Sequence, residues 1–294
     1  MSATLEACLQ RAMVLMERIE ATLPRPMLSP EWDSAIAWRY RKSHRGQGVL
    51  EPVKHMAHIE LNALQEIDPQ KEKIVRNTLQ FVQGLPANNV LLTGARGTGK
   101  SSLIRACLSA FAGQGLRLIE VDKNDLTDLP DIVSELASSD KKFIVFCDDL
   151  SFEEGEASYK ALKSMLDGSV AAATPNVLIY ATSNRRHLLP EYMKENLAYT
   201  HTADGEVHPG EATEEKISLS ERFGLWVSFY PFSQDEYLRI VCVWLKALGA
   251  SDEQCDAARP AALVWALERG SRSGRVAQQF ARDHMGQLAV QQGV

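Results

Sequence analysis

Several things are scarce in this 294-residue chain, and each scarcity excludes a class of protein. Its five cysteines (Cys8, Cys107, Cys147, Cys242 and Cys255) are odd in number and scattered, with no C-x-x-C pair. A disulfide framework or a zinc ribbon is therefore not expected, and Cys107 and Cys147, set in apolar runs, read as core packing. No uncharged apolar run approaches the roughly 18 residues of a membrane span. Glu6, Arg11, Glu17, Arg18 and Glu20 interrupt any leader-like stretch near the start. Positive charge is not in excess: the formal net charge is −6, which argues against a generally basic nucleic-acid coat but not against a local patch. There is no internal repeat and no low-complexity tract. A soluble, cytoplasmic protein without membrane contact is the expectation, and 45% hydrophobic residues suffice for a sizeable core.

What the chain does have is the stretch NVLLTGARGTGKSSLIRACL, from Asn89 to Leu108. Val90, Leu91 and Leu92 read as a buried strand. The strand runs into Gly94, Ala95, Arg96, Gly97, Thr98, Gly99, Lys100, Ser101 and Ser102. An amphipathic helix with Leu103, Ile104, Cys107 and Leu108 on its apolar side follows. This is the phosphate-loop pattern G-x-x-x-x-G-K-[ST] in the strand–loop–helix setting it requires. Gly94, Gly97 and Gly99 let successive N–H groups turn inward on a phosphate chain, and the helix start adds the positive end of its dipole. Lys100 is placed to reach the β- and γ-phosphates and the Ser101 hydroxyl to hold Mg²⁺. The reading is a nucleoside-triphosphate binder.

Taken in order, residues 5–22 carry a helical period, broken by the Pro24–Pro30 stretch. Trp32 to Arg45 mixes two tryptophans with Arg39, Arg41, Lys42 and Arg45. It reads as a partly packed helix with a solvated basic face, the rival being a nucleic-acid contact. His55 and His58 lie three apart, without an evident third ligand for a metal. Asp68-Pro69 opens a helix with proline at its first position. Further strands are expected at Leu116–Val121, Phe143–Cys147, Asn176 to Asn184 and Leu225–Tyr230, separated by helical patterns. A parallel sheet with its chemistry at the carboxyl ends of the strands follows. Glu191 to Ser218 is polar and aperiodic, and reads as a mobile insert. The remainder is helical, over 234–248, 253–269 and 273–291, with Trp244 and Trp265 packing a small domain.

Asp148, 48 residues after Lys100 at a strand end, is placed to bind Mg²⁺. Asp149 stands where a carboxylate polarises the water that attacks the γ-phosphate, with Glu153 and Glu154 as rivals. Asn184, directly after a strand, offers a neutral amide that orients that water; a turn-forming asparagine is the plainer reading. Arg222 precedes the last strand and can face a neighbouring subunit's nucleotide. Arg275 opens the last helix and can fold back over the phosphates.

The order of these motifs resembles that of an AAA+ ATPase, over roughly Ile59 to the C-terminus. By that resemblance Asp148 falls on the Mg²⁺-holding acid, Asp149 on the catalytic glutamate and Asn184 on the sensor-one residue. Arg222 falls on the arginine finger, Arg275 on the sensor-two arginine with Arg272 competing, and Ile67 near the adenine-contacting segment. GARGTGKSSL, FCDDLSFEEG, LIYATSNRRHLLPE and SLSERFGLWVSFYPF resemble a bacterial family of predicted AAA+ ATPases of unknown function. DGSVAAATPNVLIYATSN and SERFGLWVSFYPF also look like the clamp-loader and initiator branch. The resemblance implies a parallel five-stranded P-loop sheet flanked by helices over residues 59–231. A helical N-terminal region (1–58), an insert (about 191–218) and a helical lid (232–294) complete it. It implies Mg-ATP hydrolysis, a homo-oligomeric ring or partial ring, and work on a protein or nucleic-acid partner. Asp149 is one methylene shorter than the usual glutamate, which keeps open a low-turnover, ATP-dependent switch or scaffold. A DNA-associated loader remains a second alternative, and a small-molecule P-loop kinase shares only the loop. DKNDLTDLP lacks the aromatic–apolar–glycine loop that grips threaded polypeptide, so threading is not expected.

Overall fold

The computed structural model describes residues 9–16, 18, 30–42, 48–56, 58–153, 156–167, 174–185, 188, 200–201, 207–208 and 219–291. The Pro24–Pro30 break before residue 30, Arg45, Glu154 and most of the 191–218 insert therefore lie outside the described residues. Of that insert, β7 (Thr200–His201) and β8 (Val207–His208) form a small antiparallel ladder.

The main sheet is built from β1 (Ala37–Lys42), β2 (Gly48–Pro52), β3 (Val90–Gly94), β4 (Leu116–Glu120), β5 (Lys142–Cys147), β6 (Val177–Ser183) and β9 (Leu225–Phe229). Its order is β2-β1-β4-β5-β6-β3-β9, and only the β1–β2 pairing is antiparallel. The five strands read from the sequence are the parallel core, β4-β5-β6-β3-β9. Their residues are apolar on both sides because helices cover both faces. Alternate residues enter different cores: Val90, Leu92, Ile144 and Phe146 pack on one face, Leu91, Phe143, Val145 and Cys147 on the other. The first face holds α2 (Asp68–Val82) and α3 (Lys100–Phe111). The second holds α4 (Leu129–Ala137) and α5 (Ala157–Leu166). Pro69 sits in the first turn of α2, where its missing N–H costs nothing. Asn77 and Thr78 of α2 hydrogen-bond the Tyr180 hydroxyl of β6 at 3.0 Å each, tying that helix to the sheet.

The N-terminal region departs from the helical expectation. Residues 9–16 are helical (α1), but β1 and β2 pair antiparallel as a β-hairpin that extends the sheet to seven strands, so part of the 1–58 region is built into the core. The reason is the period of AWRYRK. Trp38 and Tyr40 alternate with Arg39 and Arg41, so a strand buries both aromatics on one face, with Trp38 fully covered, while a helix would scatter them. The cations are also not a free basic face. Arg39 bonds Glu120, Arg41 lies 3.6 Å from Glu51, and Lys42 pairs with Asp128 at 2.9 Å. Tyr40 donates to the same Asp128 carboxylate at 2.7 Å.

After a helical turn at residues 219–221 (α6) and β9, the chain forms α7 (Gln234–Ala247), α8 (Asp252–Glu268) and α9 (Gly274–Gln291). Ser233 and Ser251 each close a capping box at the start of α7 and α8. Trp244 and Trp265 pack against the same core that α2 and α3 cover, so the C-terminal helices continue that face of the sheet.

Candidate active site

Three neighbouring strands, β5, β6 and β3, end side by side, and their carboxyl ends carry Asp148-Asp149, Ser183-Asn184 and the glycine-rich loop. The loop has the backbone its sequence demands. Gly94, Gly97 and Gly99 have φ of 129°, 75° and 97°, conformations that residues with a Cβ resist. A Cβ at Gly94 would lie 1.9 Å from the Phe229 carbonyl oxygen, so glycine is required there on packing grounds as well. Gly99 precedes α3, and Thr98 Oγ1 closes the loop by donating to the Ala95 carbonyl at 2.9 Å.

Lys100 is 6% exposed, and its ammonium donates to Gly94 O (2.6 Å), Ala95 O (2.7 Å) and Asn184 Oδ1 (3.1 Å). Burial lowers its pKa despite the opposing pull of Asp148 and Asp149, with Arg96 adding to the fall. Asn184 in turn donates through Nδ2 to Asp149 Oδ1. Ser101 Oγ donates to Asp148 Oδ1 at 2.7 Å, so the hydroxyl and the carboxylate that the sequence singles out for Mg²⁺ are in contact. Among the described residues no three His, Cys, Asp or Glu side chains cluster as a metal cage, His55 and His58 included. Mg²⁺ bound with phosphates does not need one: a carboxylate and a hydroxyl, completed by phosphate oxygens and water, make an octahedral set. The glycine cradle, the buried lysine at its floor and the Ser101–Asp148 pair thus fit Mg-ATP chemically.

Two contributors were not legible in the sequence. Thr182, 1% exposed on β6, donates to Asp148 Oδ1 at 2.5 Å and accepts from the Asp149 N–H at 2.9 Å. It anchors the Asp148 carboxylate and the Asp149 backbone, and Asp149 needs the anchor because its φ is 53°, in the left-handed region. A threonine in a β-strand has no signal of its own, since that is where threonine is common. The second is the docking of the lid. Gly274 N–H donates to Gly97 O at 2.9 Å, and a Cβ at Gly97 would meet Ser273 at 2.8 Å and the Arg275 Cβ at 3.5 Å. The Arg275 Cβ therefore lies beside the loop, while Arg272 comes just before the docked segment; both residues are exposed. Ile67 reaches the loop from the other side: its Cδ1 lies 3.4 Å from where a Gly99 Cβ would be. The neighbouring Glu66 is clamped by Arg239 of α7 at 2.6 and 2.9 Å, a second tie between lid and core.

Arg222 is not among the residues brought to the loop by any of these contacts. It forms an ion pair with Asp167 at the end of α5. Glu153, the rival to Asp149, is engaged through its backbone N–H with Glu156 at 2.8 Å.

The family model described as "Protein of unknown function (DUF815)" matches residues 33–288. None of the curated proteins matches. Among solved structures, a single-substitution variant of Thermotoga maritima RuvB superposes with a TM-score of 0.54 at 14% identity, over 79% of this chain and 66% of that one. A second mutant of the same protein gives 0.54 at 16%, over 81% and 68%. The structure titled Thermotoga maritima RuvB Holliday junction branch migration motor gives 0.50 at 15%, over 78% and 64%. The chain spans about two thirds of the RuvB chains it matches. At these identities the likeness establishes the fold, which is that of the AAA+ ATPases. No helix among the described residues is long and apolar enough to cross a membrane.

Proposed function

We propose that this chain, which belongs to the DUF815 family of proteins of unknown function, binds Mg-ATP and hydrolyses it to drive a conformational change in an assembly. The observation that carries the reading is the convergence of Lys100, Asn184 and Asp149 with Ser101, Asp148 and Thr182 at the mouth of one glycine-rich loop. The loop N–H groups and the start of α3 bind and orient the phosphates. Lys100 exchanges its carbonyl partners for phosphate oxygens, and Ser101 and Asp148 hold Mg²⁺, which supplies charge neutralisation at the γ-phosphate. Asp149 accepts a proton from the attacking water while Asn184 positions that water. Ile67 packs the base, and Arg275 covers the phosphates from the lid, so that lid position reports the nucleotide bound.

Arg222 acts between subunits of a homo-oligomeric ring or partial ring, leaving Asp167 for the neighbouring site. Steady-state ATPase of wild type, Lys100→Ala and Arg222→Ala, with sedimentation in parallel, tests this. Turnover abolished by Lys100→Ala, and slowed by on the order of 10³-fold in an Arg222→Ala variant that still assembles, is the expected result. A monomer with full turnover refutes the assembly part.

One observation favours a second reading, a low-turnover switch: both carboxylate oxygens of the short Asp149 are engaged, by Asn184 and by Arg96. Tight ATP binding with negligible turnover at every concentration selects it. A DNA-loader role draws no support from the Arg39–Lys42 cations, which face Glu120, Glu51 and Asp128.

A further inference from the structure

Arg96 is unlike the rest of the glycine-rich loop. Its backbone belongs to the loop, but its side chain is 77% exposed and crosses the mouth to Asp149 Oδ2, 3.4 Å away. Asp149 is held on its other oxygen by Asn184, and Asn184 accepts from Lys100. Arg96, Asp149, Asn184 and Lys100 therefore form one continuous polar chain across the opening.

The two ends of that chain differ in strength. Lys100 is buried with three acceptors, whereas the Arg96–Asp149 pair has partners 77% and 53% exposed and is worth little in water. It opens at small cost when a denser anion arrives, and a guanidinium fork grips a phosphate with two parallel bonds. The position of the pair selects which anion does this. Loop N–H groups and Lys100 serve any phosphate chain, but Arg96 points toward the ends of β5 and β6, where Asp149 and Asn184 stand. A triphosphate held by the same loop is one phosphate longer than a diphosphate, and only that third phosphate would be needed to reach them.

We propose that Arg96 senses the γ-phosphate within its own subunit, exchanging Asp149 for the terminal phosphate of ATP. The exchange also frees Asp149 Oδ2 to accept a proton from the attacking water, so arrival of the correct nucleotide and release of the base are one event. With ADP the Arg96–Asp149 pair persists. This inference rests on the ATPase reading above and adds to it a residue that distinguishes the tri- from the diphosphate.

Calorimetric titration of the full chain with Mg-ADP and with a non-hydrolysable Mg-ATP analogue tests it, on wild type, Arg96→Ala and Arg96→Lys. Arg96→Ala is expected to weaken the triphosphate analogue about tenfold or more, the worth of a charge-assisted bond, and to leave ADP within about twofold. Arg96→Lys recovers part of the loss, because the charge returns without the fork. Equal weakening of both nucleotides, or of neither, overturns the inference while leaving the ATPase reading intact. Failure of wild type to bind either nucleotide overturns both.

Discussion

Replacing Thr182 by valine removes one hydroxyl and almost no volume, and it tests whether the Asp148 carboxylate and the Asp149 backbone share an anchor. The hydroxyl donates to Asp148 at 2.5 Å and accepts the Asp149 N–H at 2.9 Å, in a side chain that is 1% exposed. A hydrogen bond to a charged group contributes about 1.5–3 kcal/mol, and an N–H left without its acceptor adds a further cost that water offsets in part. Asp148 keeps Ser101 as a donor, which limits the loss. A net destabilisation of about 2 kcal/mol follows, or roughly 4–8 °C in Tm at 2–4 °C per kcal/mol for a chain of this size. The effect on turnover is larger. Asp149 holds a left-handed backbone, and without its tether it shifts relative to the loop. A misplacement of about 1 Å at a reacting centre costs on the order of 10²-fold. The assay is kcat by phosphate release together with Tm and ADP affinity, for Thr182→Val and Thr182→Ser. Valine should lower kcat by about 10- to 100-fold and leave ADP binding within about threefold, while serine, which restores the hydroxyl, stays near wild type. Wild-type kcat in the valine variant, or an equal loss in the serine variant, refutes the shared-anchor argument.

Two further predictions concern the lid and the hairpin. Gly97→Ala forces a Cβ against Ser273 at a φ of 75°, so it costs about 1–2 kcal/mol of backbone strain and about 1 kcal/mol for the Gly274–Gly97 bond. Amide exchange should accelerate at Gly274 with α5 and the central strands unchanged; unaltered protection at Gly274 counts against lid docking through this contact. Asp128→Asn tests the hairpin's ion pair. Burial raises the Asp128 pKa, but hydrogen bonds from Lys42 and Tyr40 outweigh it and the net shift is downward from 3.8, while the Asp128 bond raises that of Lys42. A carboxylate with a lowered folded pKa stabilises above pH 3.8, and that contribution is lost as pH falls through the folded value. Urea unfolding at pH 7 should therefore show the variant less stable by about 1 kcal/mol or less. The gap should narrow at about pH 3, and a gap independent of pH contradicts the pairing.

What the sequence determined by itself was everything carried by neighbours along the chain. The glycine spacing, the Lys100-Ser101 pair, the apolar strands ending in Asp148-Asp149 and Asn184, and the helical periods after residue 233 are local patterns. Local backbone sterics and side-chain periodicity read them directly. The strands of the parallel core follow for the same reason, since runs buried on both faces are visible as runs. Tertiary structure alone decided what depends on residues far apart meeting. The Arg39–Lys42 segment was open to misreading because cations interleaved with aromatics fit both a helix and a strand. Its fate was settled by an available edge on β4 and by carboxylates at Glu120 and Asp128. Thr182 acquires its importance from Asp148, just past the end of the adjacent strand, and Arg96 from Asp149, 53 residues later. Ser273 and Gly274 matter only because α9 starts on Gly97. Each is a commonplace residue in one dimension, and only the side-by-side ending of β5, β6 and β3 makes these partners neighbours.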